Sequence, residues 1–302
     1  MTGPASRRQF LRRAALVVTG SAVAGQAAAI EPVKRELSPS MRVSCCAYSY
    51  RKYLKGDQPE MTLLDFVTTC AEIGFDGVEL TSYYFPRPVT PDYLRQLKRH
   101  CFLLGLDVSG TAVGNRFTMP PGPDRDRQVT AVKEWLAYGA QFGAPCMRVF
   151  AGGTPKDGTD EQARKWVAEC LEECVPTAEE HGVVLALENH GGVTATADGV
   201  LEILAQVDSE WVGANLDTGN FRTADPYADI AKVAPYAVTT HVKTEVRPAG
   251  GQRGEADFGR IIEILRGVNY RGYLSIEYEA AEDPKTAVPR CARLLKELVA
   301  NA

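Results

Sequence analysis

Three carboxylates and a histidine fall near the ends of four successive apolar runs in the second half of the chain. In the run 183–189, continued to 190, alternation puts Val184, Ala186, Glu188 and His190 on one side and Val183, Leu185 and Leu187 on the other. The run 212–217 sets Gly213, Asn215 and Asp217 against Val212, Ala214 and Leu216. The next two group Thr239, His241, Lys243 and Glu245, then Ser275, Glu277 and Glu279 opposite Leu274, Ile276 and Tyr278. Glu188, Asp217, His241 and Glu277 together make three oxygen donors and one nitrogen, a set suited to Mn²⁺, Mg²⁺ or Co²⁺ rather than to a thiolate-seeking metal. Three carboxylates converging at one mouth would repel one another without a cation between them. Beside a substrate carbonyl, such a cation stabilises the enediolate left when a carboxylate takes a proton from the adjacent carbon. Of only four histidines, His190 and His241 lie at these run ends, whereas His100 and His181 read as exposed helix tails.

Positioning these residues takes a frame of alternating strands and helices. Eight short apolar runs, 42–48, 77–81, 106–111, 146–150, 183–189, 212–217, 238–243 and 273–278, are each followed by an amphipathic stretch. That order is what a single (β/α)₈ barrel requires, with its chemistry at the C-terminal strand ends. Thr62 with Asp65, Thr90-Pro91 and Thr159-Asp160-Glu161 mark helix starts, while Gly74, Gly105, Gly143 and Gly182 mark stops. A doubly wound open sheet shares the order, but eight units and no Gly-x-Gly-x-x-Gly favour closure. Near the same mouth, His190 and Lys243 are candidates for acid, base or carbonyl polariser, or for support through Glu245 or Glu279. Glu79 and Arg148, close to the ends of strands two and four, could bind substrate hydroxyls or a keto oxygen, or form an ion pair inside the barrel. The segments 113–125 and 247–257 are rich in Gly, Pro and charge, as flexible loops and lids are.

The N-terminus reads as an address. Ser6-Arg7-Arg8-Gln9-Phe10-Leu11 precedes a weakly apolar stretch, Ala14 to Ala29, closed by small residues. This resembles a twin-arginine export signal cleaved before Ile30, and sixteen residues interrupted by Gly20, Ser21, Gly25 and Gln26 span a bilayer poorly. The expected organisation is a signal at 1–29, a linker at 30–40 and a barrel at 41–302. The export machinery would then be a transient partner, the destination the periplasm, and the cleaved protein would have no stable membrane insertion. The formal net charge of −4 comes from 34 basic and 38 acidic residues. Since the first 29 residues hold four arginines and no acid, the remainder stands at −8. An acidic body disfavours nucleic acid as a partner. The eight cysteines show no paired C-x-x-C spacing and read as small buried hydrophobes.

Gly74-Phe-Asp-Gly-Val-Glu79, Leu187-Glu-Asn-His-Gly-Gly192, Asn215-Leu-Asp-Thr-Gly-Asn220, His241-Val-Lys243 and Tyr270-Arg-Gly-Tyr-Leu-Ser-Ile-Glu277 resemble the xylose isomerase-like TIM-barrel family. The group includes ketohexose 3-epimerases, inosose dehydratases and endonuclease IV. The resemblance implies that Glu188, Asp217, His241 and Glu277 bind one divalent metal ion, Mn²⁺ before Mg²⁺ or Co²⁺. It further implies that Glu188 and Glu277 shuttle a proton on opposite faces of a sugar or keto-sugar substrate. The expected activity is sugar isomerisation or epimerisation through an enediolate. A lyase or hydratase acting on a keto-sugar or 3-keto-glycoside is the near alternative, and an exported carbohydrate-binding barrel without catalysis a more distant one. Endonuclease IV-like members carry a histidine three residues after the strand-six aspartate and a further Asp-x-His. Here Asn220 stands at the first place and the second is missing, so a multinuclear phosphodiesterase site is disfavoured. Asn220 also stands where some epimerases carry a substrate-binding histidine, and with Glu79 and Arg148 it is a candidate substrate contact.

Overall fold

The computed structural model describes residues 31–156 and 158–301. The expected export signal lies outside the described residues. Eight parallel strands close into a barrel: β1 (Ser40–Cys46), β2 (Gly77–Thr81), β3 (Asp107–Ala112), β4 (Cys146–Val149), β5 (Val184–Glu188), β6 (Val212–Asp217), β7 (Ala237–Val242) and β8 (Arg271–Ile276). Each strand pairs with its sequence neighbours, and β1 closes on β8 in a register running from Ser40 opposite Arg271 to Cys45 opposite Ile276. The helices α1 (Leu63–Ile73), α2 (Pro91–Leu103), α3 (Pro123–Phe142), α4 (Asp160–His181), α5 (Ala197–Leu204), α6 (Pro226–Val233), α7 (Phe258–Gly267) and α8 (Pro284–Ala300) alternate with them. A two-residue-by-two-residue hairpin, Glu245–Val246 against Gly254–Glu255, lies between β7 and α7.

Local chemistry explains where these elements begin and end. Thr62 and Asp65 form a reciprocal capping box on α1, Thr159 and Gln162 another on α4, and Asp225, Asp257 and Asp283 cap α6, α7 and α8. Gly74, Gly143 and Gly182 end α1, α3 and α4 in the left-handed conformation that costs other residues a clash at Cβ. The apolar alternates of the strands, such as Val43, Val78, Leu185, Leu187, Leu216 and Leu274, are buried against Phe66, Leu94, Leu136 and their neighbours on the helices. The opposite alternates fill the barrel interior with small or polar groups, Ser44, Ser109, Cys146, Ala186, Thr239 and Ser275 among them.

Two register shifts re-aim side chains where the site forms. Opposite Val78 and Glu79 of β2 the partner β3 carries an extra residue, Ser109, and opposite Ala214 and Asn215 of β6 the partner β7 carries Val238. Strands β7 and β8 end one residue before Lys243 and Glu277, shorter than the apolar runs suggest, yet Glu277 keeps its place through its N–H to Val242 O at 3.1 Å. Among the described residues no helix is long and apolar enough to cross a membrane. All eight cysteines are free and all but Cys291 are buried. His100 and His181 depart from their expected exposure: both are half-buried, and His100 Nε2 lies 2.9 Å from Thr68 Oγ1 and 3.2 Å from Leu64 O, joining α2 to α1.

Candidate metal centre and its mouth

Glu188, Asp217, His241 and Glu277 leave the ends of β5 to β8 and turn inward, each offering a donor atom within 4.8 Å of the others, all four buried. His241 organises the group. Its Nε2 lies 3.0 and 2.9 Å from the two oxygens of Glu79, which comes across the barrel from β2. An ionised carboxylate only accepts, so the Nε2 proton is fixed there, and Nδ1 is left facing Glu188 at 3.6 Å and Glu277 at 3.5 Å. A ligating histidine held from behind by a carboxylate has this arrangement.

Charge is densely packed here. Arg148 Nε lies 3.0 Å from Glu188 Oε2 without alignment for a hydrogen bond, its NH1 donates to Val113 O at 3.0 Å, and its guanidinium stacks on Phe150 at 3.8 Å. Asn220 Nδ2 donates to Glu188 Oε1 at 3.1 Å, and Asn215 Nδ2 lies 3.3 Å from Glu188 Oε2. Lys243 Nζ is bonded to Glu277, reaches Glu279 Oε2 at 2.5 Å and lies 3.5 Å from Asp217 Oδ2. Burial alone would lift Glu277, but Lys243 and His241 outweigh it and hold that carboxyl well below its usual range. Burial likewise dominates at His241 and Lys243 as a single cause, yet the surrounding carboxylates together hold both well above their ordinary values. Burial pushes Glu188 up against the pull of Arg148, and pushes Asp217 up to about 7.

These residues fit a divalent cation. Asp217 Oδ1 accepts from Gly219 N at 2.8 Å, whereas Oδ2, fully buried, has no hydrogen-bond partner. A buried carboxylate oxygen left without a hydrogen bond, beside two more carboxylates and an imidazole nitrogen, is the donor set of a hard or intermediate metal ion. Cys46, His241 and Glu277 form a second close trio. Burial and the neighbouring Glu79 and Glu277 push the Cys46 thiol well above its usual value.

The family follows from comparison with known proteins. The profile of the xylose isomerase-like TIM barrel family matches residues 67–298. The chain belongs to this family. An uncharacterized protein of Methanocaldococcus jannaschii is 26% identical over 125 residues, covering 37% of this chain and 43% of its own, so the match spans less than half of that relative's length. Among solved structures, D-psicose 3-epimerase from Clostridium cellulolyticum H10, described with D-tagatose, superposes with a TM-score of 0.70 at 16% identity, covering 86% of this chain and 99% of its own. The 3-keto-D-glucoside 4-epimerase of E. coli gives 0.68 at 19% identity over 85% and 100% of the two chains. An IOLI protein with a zinc atom gives 0.69 at 18% identity over 86% and 97%. At these identities the likeness shows the fold.

The remaining candidate residues divide between floor and rim. Glu79 and Arg148, 2% and 3% exposed, sit beneath the opening against His241 and Glu188 rather than lining it. Asn220 touches Glu188 and also lines the open mouth. His190 is exposed on the rim with its ring 4.4 Å from that of Phe150, and it makes no contact with the four-residue cluster that the structure records. Two contributors escaped the sequence reading. Cys46 Sγ lies 3.3 Å from Glu79 Oε1 and 3.9 Å from Glu277 Oε1, and alternation along β1 would have pointed to it. Asn215, placed on the inward face but given no role, has its Nδ2 3.1 Å from His241 Nδ1.

Proposed function

We propose that this protein is a divalent-metal-dependent sugar isomerase or epimerase that moves a proton on the carbon next to a carbonyl. The carrying observation is the buried convergence of Glu188, Asp217, His241 and Glu277 around Asp217 Oδ2, which has the Lys243 ammonium at 3.5 Å but no hydrogen-bond partner. That structures sharing the fold are described as sugar epimerases, one of them with a keto-sugar, supports the substrate class, and the one with zinc supports a resident metal. Glu188, Asp217, His241 through Nδ1 and Glu277 would hold the cation, with Mn²⁺ favoured by the oxygen-rich set. When bound it supplies Lewis-acid stabilisation of negative charge on the substrate oxygens.

The chain's own groups perform the transfer. Glu188 and Glu277 lie 3.6 and 3.5 Å from His241 Nδ1, and in this reading one takes the proton and the other returns it. Arg148 and Asn220 fix Glu188 from two sides, and Lys243 holds Glu277 ionised. Lys243 stays protonated among three carboxylates, which suits it to donate to a substrate oxygen rather than to act as base. His190, at the exposed rim, is pushed below its ordinary value by partial desolvation of its ring and by Arg148.

The test is incubation of metal-supplemented protein with ketoses in D₂O. Incorporation of one deuterium without loss of water, abolished in Glu188→Gln and Glu277→Gln, is the expected result. Loss of water or of an aglycone would mark a lyase instead. If both variants keep full ligand affinity and wild-type protein exchanges nothing, the barrel binds without catalysis. We also propose export by the twin-arginine route, supported by Arg7-Arg8 and the small-residue stretch after them. It is tested by finding Ile30 as the N-terminus of the exported protein and cytoplasmic retention of Arg7→Lys/Arg8→Lys.

A further inference from the structure

The electrostatics of the mouth run against those of the chain. The formal net charge is −4, yet the cavity of about 350 Å³ that adjoins the cluster through Asn220 and Lys243 is lined by Arg51, Arg222, Lys243, Arg247 and Arg253 against only Glu245 and Glu279. Some of this charge is used within the protein. Lys243 is taken up by Glu277 and Glu279, and Arg51 donates to the backbone oxygen of Tyr278 at 2.7 Å. Arg253 has Glu245 at 3.3 Å. Arg222 and Arg247 form no ion pair among the described residues, although both line the cavity.

The hairpin makes the surplus structural. Its register sets Val246 opposite Gly254, and Arg247 and Arg253 are the residues that directly follow and precede that pair on the two arms. Ala249 N donates to Thr223 O at 2.8 Å, tying the hairpin loop to the segment that carries Arg222. Arg222 and Asn220 also line the adjoining cavity of about 340 Å³ beside His190, so Arg222 stands where the two lobes of the mouth meet. Guanidinium groups present paired N–H donors that match carboxylate and phosphate oxygens, and a basic cleft concentrates anions even on an acidic protein.

We propose that the substrate carries an anionic oxygen group, a carboxylate or a phosphate, at the end remote from its carbonyl, and that Arg222, Arg247 and Arg253 seat it. This rests on the sugar-enzyme reading above and specifies its substrate class.

Isothermal titration of manganese-supplemented protein with D-fructose, D-fructuronate and D-fructose 6-phosphate compares one skeleton with three ends. The expected result is at least tenfold tighter binding of one anion than of fructose, weakening with salt, the stronger anion identifying the group as carboxylate or phosphate. In Arg222→Gln/Arg247→Gln, both exposed and checked for folding by circular dichroism, that advantage should fall to within twofold. Fructose binding as tightly as both anions overturns the proposal, as does an advantage that survives the double variant, which would place the anion on the metal. Deuterium exchange on the same ketoses separates the two layers. Exchange without anion preference sinks the anion seat alone, whereas an arginine-dependent preference without exchange sinks the catalytic reading and leaves the seat. Binding of none of the three overturns both.

Discussion

Replacing Glu79 by glutamine measures how much of the cation's hold comes from behind its histidine. Glu79 is 2% exposed and meets His241 Nε2 with both oxygens, at 3.0 and 2.9 Å, on the side away from the ligand cluster. Glutamine keeps an oxygen to accept the Nε2 proton, so the tautomer stands, but it removes the charge that helps hold His241 above its ordinary value. Partners of this kind are worth about 10- to 100-fold in metal affinity, or about 1.4 to 2.8 kcal/mol. The isosteric amide belongs near the lower end, about tenfold, and Glu79→Ala near the upper, since alanine leaves a buried N–H with no acceptor. Manganese titration against a chromophoric chelator at fixed pH gives the ratio directly, with circular dichroism as the folding control. Affinity within twofold of wild type would refute the argument that Glu79 steadies the ligand. A loss beyond about 1,000-fold, well outside what an outer partner contributes, would make Glu79 a ligand itself.

Acidity offers an independent check. Burial pushes Asp217 up to about 7, above its unfolded value, so in metal-free protein its contribution to stability is complete below about pH 4 and is lost as pH rises through 7. A cation replacing that proton should therefore raise the melting temperature more at pH 8 than at pH 5, and a shift that is flat across this range would contradict the assignment. Gly219→Ala would place Cβ 2.6 Å from Lys243 Cβ and Cγ and 2.7 Å from the backbone oxygen of Glu245, which cannot simply swing away. Displacing Lys243 by this route should lower turnover about 100-fold, as measured by steady-state kinetics at saturating manganese. Thr159→Ala removes one half of the α4 capping box and should cost about 1 kcal/mol in urea unfolding with the m-value unaltered.

What the sequence discloses here follows from which interactions are local. Alternation along β5 to β8 and the capping residues act within a few positions, so the barrel, its helix boundaries and the inward placement of Glu188, Asp217, His241 and Glu277 could be read from a single chain. Strand termini were less accurate because the last inward residues leave the ladder to face the mouth, as Lys243 and Glu277 do one position beyond β7 and β8. The partner of each charged residue is a different kind of fact. Glu79 and His241 are 162 positions apart and Cys46 and Glu277 are 231 apart. Which of them meet depends on closure of β1 against β8 and on the shift at Val78/Glu79, neither of which leaves a periodic trace. Glu79 illustrates the consequence. Its position near the end of β2 fits a substrate contact as well as an interior ion pair, and only closure decides that its carboxylate faces imidazole on the far wall. The same closure places Arg148 against Glu188, so the two buried residues that the sequence groups as candidate substrate contacts, or as partners of each other, instead each pair with a different member of the candidate metal cluster.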